Sequence, residues 1–225
     1  VLLLAFDTAT PAVTAALYDT SRPAASAVRA EESRVDARRH GELLLPAIDR
    51  VLAEAGVAKG ELDAIAVGIG PGPYTGLRVG LVTAAALGDA LGIPVHGVCT
   101  LDALARAARD AGLRVPFTAA TDARRKEVYW AAYDADGERT GEPAVDRPAE
   151  IADRVAGMPS VGAGALLYPE VFTDARGPEH VSAAALAAVA ADRLERGAEL
   201  PAPLPLYLRR PDAQVPANYK TVLPA

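Results

Sequence analysis

Residues 64–80 read Ala64-Ile65-Ala66-Val67-Gly68-Ile69-Gly70-Pro71-Gly72-Pro73-Tyr74-Thr75-Gly76-Leu77-Arg78-Val79-Gly80. The first six are continuous and apolar, the pattern of a strand buried on both faces of a sheet. Two prolines and two glycines then end it. Thr75, whose hydroxyl can accept a free N–H of a first turn, is the expected N-cap of a helix that runs on to Leu91. From Gly76 to Leu91 only Arg78 and Asp89 are charged. A helix apolar on every side needs cover on more than one of them. Gly76, Gly80, Ala84 and Gly88 recur every four residues, which puts them on one face and lets another backbone come close. A helical glycine costs about 1 kcal/mol against alanine, so the stripe predicts a compensating contact. That contact is either this chain's own sheet or a helix of another polypeptide, and the lack of charge around the helix favours the second.

The glycine loop does not fit two phosphate-binding patterns. No lysine lies between Lys59 and Lys126, so the loop lacks the lysine of a P-loop. Pro73 stands where a dinucleotide fingerprint begun at Gly68 and Gly70 needs its third glycine. Gly70 and Gly72 still permit close approach of an anion or another chain ahead of a helix N-terminus.

The 225 residues suffice for one large domain or two small lobes. The longest stretch without Asp, Glu, Lys or Arg runs from Val155 to Pro169, too short and too broken to span a bilayer. Leu2 to Leu4 meet Asp7 and carry no basic leader, so no secretory signal is expected. The single cysteine, Cys99, excludes an internal disulfide, fits a reducing cytoplasm, and reads as a buried small residue rather than a nucleophile. A net charge of −6 opposes a large phosphate-neutralising surface, so the chain is not expected to grip nucleic acid alone. Basic clusters at Arg34, Arg38 and Arg39, at Arg124, Arg125 and Lys126, and at Arg209 and Arg210 each read first as solvated surface.

Strands and helices alternate along the chain, which points to α/β layering. Val1 to Phe6 and Ala12 to Tyr18 read as a hairpin with hydroxyls at its tip, Asp7-Thr8-Ala9-Thr10-Pro11. A third strand is expected around Ala24 to Ala30, then a helix from Gly41 to Ala55 closed by Gly56 and bent by Pro46. Pro94 to Val98 reads as a short strand and Leu101 to Ala111 as a helix. Phe117 to Ala120 and Val128 to Tyr133 form a second hairpin around Thr121-Asp122-Ala123-Arg124-Arg125, so two hairpin-led halves suggest duplicated lobes. The expected boundary near Gly112 to Pro116 divides a lobe of residues 1–112 from one of residues 113–225. The second is shorter, with a strand end and glycine turn at Ser160 to Gly164 and a helix from Ser182 to Leu194. From Leu200 the chain is proline-rich, and Leu206-Tyr207-Leu208 is at best one edge strand.

With the hairpin Asp7-Thr8-Ala9-Thr10, the run from Gly70 to Gly80, the turn Asp122-Ala123-Arg124 before Glu127-Val128-Tyr129, and Leu206-Tyr207-Leu208-Arg209 in this order, the chain resembles the TsaB (YeaZ) family over nearly its whole length. The specific element is Gly-Pro-Gly-x-[Tyr/Phe]-Thr-Gly-x-Arg-x-Gly. The resemblance implies an actin-like, ribonuclease-H-like two-lobed α/β fold with a reduced second lobe and a degenerate nucleotide site. It implies a cytoplasmic, non-catalytic subunit in the formation of threonylcarbamoyladenosine on tRNA, partner to the transferase TsaD, with TsaE as the ATPase of the assembly. The chain would form a homodimer when alone and meet tRNA only through the complex. The contact would be the helix pair Gly41 to Ala55 and Gly76 to Leu91, through His40, Leu43, Leu44, Ala47, Ile48, Val51, Gly76, Arg78, Val79, Gly80, Thr83, Ala84 and Leu87.

The chain has only His40, His96 and His180, none within fifty residues of another, so it lacks the His-x-x-x-His pair that holds the transferase metal. No metal and no metalloprotease role is expected. The alternative is a small actin-like ATPase or phosphotransferase, in which Asp7 and Asp122 hold Mg²⁺ waters while Thr8, Thr10, Gly70, Gly72 and Thr75 face the nucleotide. The favoured reading has Asp7 capping its own turn and Asp122 satisfying loop N–H groups. ATP or ADP with Mg²⁺ at a subunit junction is the one cofactor opening left.

Overall fold

The computed structural model describes residues 1–209, so Arg210 and the remaining residues to 225 lie outside the described residues. The chain begins with β1 (Leu2–Asp7), β2 (Ala12–Asp19), β3 (Val28–Val35), α1 (His40–Ala55), β4 (Ala64–Gly68), α2 (Tyr74–Leu91), β5 (Val95–Val98) and α3 (Thr100–Asp110). It continues with β6 (Phe117–Asp122), β7 (Val128–Tyr133), β8 (Ala144–Asp146), α4 (Pro148–Val155), β9 (Pro159–Val161), α5 (Ala163–Leu167), β10 (Asp174–Arg176) and α6 (Ala183–Glu195).

Among the described residues the strands form two five-stranded sheets, ordered β3-β2-β1-β4-β5 and β10-β9-β6-β7-β8. In each, an antiparallel run of three strands continues into two parallel ones. The strands β1 to β5 thus correspond in order and direction to β6 to β10. This is the duplication that the two hairpins announce.

Alternation along β1 sends Leu4 and Phe6 to one face and Leu3 and Ala5 to the other. The first face packs on α1 and α2 through Leu44, Ile48, Val51, Leu77 and Leu81. The second shares one core with α3, α6, Phe117 and Ala119, so these two helices lie between the sheets and belong to both. The alanines of α6, buried at 183, 185, 187, 188, 190 and 191, let that helix sit close to its neighbours. The far face of the second sheet packs on α4 and α5 through Ala120, Val128, Trp130, Ile151, Val155, Ala165 and Phe172.

Several local expectations change. Ala24–Ser26 is a single helical turn, and the third strand starts at Val28. Pro73, not Thr75, is the residue before α2, and it makes no side-chain capping bond. Proline suits such a position because it has no N–H to satisfy. The strands β8 and β10 and the helix α5 are three to five residues long, and α4 is eight residues long with Pro148, Ile151 and Val155 buried on one face. Leu206-Tyr207-Leu208 is not a strand, although the Leu206 N–H donates to the Ile69 carbonyl at 2.8 Å.

Candidate functional site: the helix pair and the lobe cleft

The glycine stripe of α2 is filled by this chain itself. A Cβ at Gly76 would lie 2.6 Å from the Thr8 carbonyl oxygen, one at Gly80 2.6 Å from Thr8 Oγ1, and one at Gly88 2.4 Å from Val95 Cγ2. Ala84 is fully buried in the core beneath. The Thr8 hydroxyl donates to the Gly76 carbonyl at 2.8 Å and accepts from the Gly80 N–H at 3.0 Å. The expectation that another polypeptide fills this groove is therefore corrected: the β1–β2 hairpin tip and the edge of the sheet occupy it. The small residues remain necessary, because the tip could not otherwise approach the helix.

What α2 leaves uncovered is its opposite face. Val82 is 67% exposed, Ala85, Ala86 and Ala90 are exposed, and Val79, Thr83 and Leu87 are half-buried beside them. Arg78 and Asp89 are the only charges on the helix. On neighbouring α1, Leu45 is 51% exposed and Leu43 half-buried. Of the helix-pair residues named from the sequence, Leu44, Ala47, Ile48, Val51, Gly76, Gly80 and Ala84 are core, and His40, Leu43, Arg78, Val79, Thr83 and Leu87 reach the surface.

The lobe cleft is a cavity of about 320 Å³ lined by Thr8, Thr10, Arg38, His40, Thr75, Gly76, Val79, Asp122 and Arg124, among others. The His40 Nε2–H donates to the Thr10 carbonyl at 2.8 Å, which ties the start of α1 to the hairpin tip. Thus Thr8, Thr10, Thr75 and Asp122 come together, as the sequence suggests. Gly70 and Gly72 do not join them. The Gly70 N–H donates to Thr100 Oγ1 at 3.1 Å, and a Cβ at Gly72 would lie 2.1 Å from the Ala9 carbonyl oxygen.

Asp7 stands apart from the cavity as well. It is fully buried, with Oδ1 accepting from the Ala9 N–H at 2.7 Å and Oδ2 from the Thr100 hydroxyl at 2.6 Å. Burial pushes its carboxyl above the usual carboxylate value, against the pull of those hydrogen bonds. Asp122 accepts from the Arg124 N–H at 2.7 Å and pairs with the Arg124 guanidinium at 3.2 Å. Each carboxylate caps its own turn, Asp7 away from the cavity and Asp122 on its wall. Among the described residues, no group of three or more His, Cys, Asp or Glu side chains converges for a metal.

Three features escaped the sequence. Thr100 links Asp7 to Gly70; its only signal is a hydroxyl at the entry to a helix. A second cavity of about 440 Å³ lies between the hairpin tip and α5, lined by Val35, Thr121, Leu166, Leu167 and His180 with others. Third, the segment from Leu200 to Arg209 straps both lobes together. Its Pro201 carbonyl accepts from the Gly97 N–H at 2.8 Å, and Tyr207 packs on Tyr74 with ring centroids 4.6 Å apart. The Tyr207 hydroxyl accepts from Arg78 Nε at 3.1 Å. The Tyr74 hydroxyl donates to the Arg209 carbonyl at 2.5 Å, while the Arg209 guanidinium binds the Ala123 carbonyl and Glu127 on the β6–β7 turn.

Two sheets of matching order around a shared helical layer, with a cleft between their hairpins, define a two-lobed α/β protein of the actin-like class. Residues 33–166 match the family model described as TsaD: tRNA N6-adenosine threonylcarbamoyltransferase. The chain is 32% identical over 179 residues to the tRNA threonylcarbamoyladenosine biosynthesis protein TsaB of Escherichia coli, covering 75% of this chain and 74% of that one. It is 48% identical to an uncharacterized protein of Mycobacterium tuberculosis over 94% of this chain and 93% of that one. The solved structure of YeaZ from Pseudomonas aeruginosa superimposes with a TM-score of 0.76 at 34% identity, over 92% of this chain and 99% of that one. The chain belongs to the TsaB (YeaZ) family.

Proposed function

We propose that this chain is a non-catalytic subunit in the formation of threonylcarbamoyladenosine on tRNA. It binds a TsaD-type transferase through the outer faces of α1 and α2 and holds that partner in its competent conformation. The observation that carries the reading is the outer face of α2, where Val79, Val82, Ala85, Ala86 and Leu87 meet solvent on a helix with two charges. An apolar helix face of this kind is the usual mark of an interaction site. The names carried by the relatives supply the partner's class. TsaE is the ATPase of the same assembly, tRNA is met through the complex, the chain alone pairs with a second copy by the same face, and all of this takes place in the cytoplasm.

The geometry of the carboxylates favours this over the ATPase reading. Asp7 has no contact with the cleft cavity, and Asp122 is held by its own turn. Nucleotide, if the assembly uses it here, meets this chain at the subunit junction rather than on a metal held by Asp7 and Asp122.

Val82→Asp tests the interface. It places a carboxylate on the exposed face without touching the core, so the melting temperature should stay within about 2 °C of the parent, in keeping with a surface substitution. Co-purification with the TsaD-type protein of the same organism should be lost. A variant that still co-purifies with unchanged yield removes this face from the interface. Tight Mg-ATP binding by the chain alone, with turnover abolished in Asp7→Ala, would instead establish the ATPase.

A further inference from the structure

Two basic clusters that lie far apart in the sequence meet at the mouth of the lobe cleft. Arg38, just before α1, and Arg124, on the β6–β7 turn, line the same cavity of about 320 Å³, together with His40 and the hydroxyl-bearing Thr10 and Thr75. The third cluster is represented by Arg209, whose guanidinium clamps that turn through Ala123 and Glu127.

The turn itself is strained. Arg124, Arg125 and Lys126 have φ of 61°, 57° and 63°, three successive left-handed residues without a glycine among them. Side chains other than Gly, Asn and Asp avoid this region because Cβ crowds the backbone. The conformation is held by the Ala123 N–H to the Glu127 carbonyl at 3.0 Å, the Glu127 N–H to the Arg124 carbonyl at 3.0 Å, and the Arg124 N–H to Asp122. Its outcome is to present exposed basic side chains beside the cleft. Strain kept in place by surrounding bonds is a common sign of a working segment.

Glu42 pairs with Arg39, Asp122 with Arg124 and Glu127 with Arg209, while Asp36 accepts the Arg38 backbone N–H. Among the described residues the Arg38 guanidinium and the Lys126 ammonium enter no ion pair, which leaves positive charge at the cleft mouth of a chain whose net charge is −6. The geometry points to a contact for the sugar-phosphate backbone of RNA, formed by Arg38 and Arg124 at the cavity and Lys126 at the turn. Cations repeated from the cavity to the turn suit an anion repeated along a strand, and hydroxyl donors in the cavity suit phosphate oxygens. The inference rests on the proposed role beside tRNA and adds to it which surface of this subunit the RNA crosses.

The test measures binding of a fluorescent tRNA anticodon stem-loop to the complex of this chain with its TsaD-type partner, from about 50 to 200 mM salt. Assembly of the wild-type complex is scored first. If the wild-type chain fails to assemble with the partner, the functional reading falls, and this inference falls with it. With the complex formed, Arg38→Ala/Arg124→Ala should weaken RNA binding about three- to tenfold and lower the log–log salt slope by about 1 to 2. Arg22→Ala, on the far hairpin, should do neither.

Lys126→Gly separates a contact from a structural role, because glycine accepts positive φ. It should raise the melting temperature of the chain and yet weaken RNA binding about two- to fivefold, while Lys126→Arg keeps the affinity. An assembled complex that binds no RNA, or whose affinity and salt slope are unchanged in both the double variant and Lys126→Gly, overturns the inference and leaves the partner role standing. Loss of free ATP binding in the double variant with RNA binding intact overturns it in favour of a nucleotide phosphate.

Discussion

The seat of Thr8 on α2 can be tested by one methyl group. Alanine at position 80 should stabilise a helix interior by about 1 kcal/mol on propensity alone. Here the added Cβ would stand 2.6 Å from Thr8 Oγ1, closer than unstrained atoms approach, in a region where Thr8 and Gly80 are both buried. Forcing a methyl group into a packed core costs about 1–3 kcal/mol. If Thr8 moves aside, its hydroxyl gives up the bonds to the Gly76 carbonyl and the Gly80 N–H, and a buried hydroxyl left unsatisfied costs about 1–3 kcal/mol more. Setting the propensity gain against these terms leaves a net loss of about 1–5 kcal/mol for Gly80→Ala, centred on about 3 kcal/mol. Urea unfolding followed by far-UV circular dichroism measures it as a drop in midpoint at constant slope. Gly41→Ala is the internal control, since a Cβ there meets nothing within 4 Å, and it should be neutral or stabilising by up to about 1 kcal/mol. A Gly80→Ala protein as stable as Gly41→Ala would refute the reasoning, because the stripe would then have room, as a groove awaiting another polypeptide must.

Three further outcomes concern single buried groups. Burial raises the Asp7 carboxyl above 3.8, so the folded chain holds this proton more tightly than the unfolded chain does. The stability that protonation adds is fully present below that value and is lost as the pH rises through the folded one. Equilibrium unfolding at a series of pH values should therefore show Asp7→Asn gaining on the parent as the pH climbs above about 4, and a constant difference would contradict this. The Cys99 thiol is pushed up to about 12 by burial, with the nearby Asp102 charge acting the same way. Ellman's reagent at about pH 8 should label it only after unfolding; rapid labelling of the folded chain would show the site open. Thr121 is 5% exposed and its hydroxyl has no hydrogen-bond partner among the described residues. Thr121→Val, which keeps the shape, should stabilise the chain by about 1 kcal/mol in thermal melts, and a comparable loss would mean that the hydroxyl is in use.

The sequence by itself determined the order of the main elements, because each carries a local signal. Ala64 to Ile69 is apolar throughout, Gly56 closes α1 in a left-handed conformation, and the two hairpins repeat the same alternation. It also marked the run from Gly70 to Gly80 as unusual, since glycine inside a helix needs a reason. Which neighbour supplies the reason was beyond it, because a four-residue spacing says that something comes close and not what. Only the tertiary structure decided that Thr8, sixty-eight residues before Gly76, is that neighbour, so that the apolar face left for a partner is the opposite one. The short elements β8, α5 and β10 were invisible for a related reason: at three to five residues they are held by packing on Trp130, Phe172 and β9, while α4, whose Pro148, Ile151 and Val155 do recur at helical spacing, is only eight residues long. Arg38 and Arg124 likewise look like two scattered surface charges until the lobes close on each other. Charge density depends on distance in space, which local pattern cannot report.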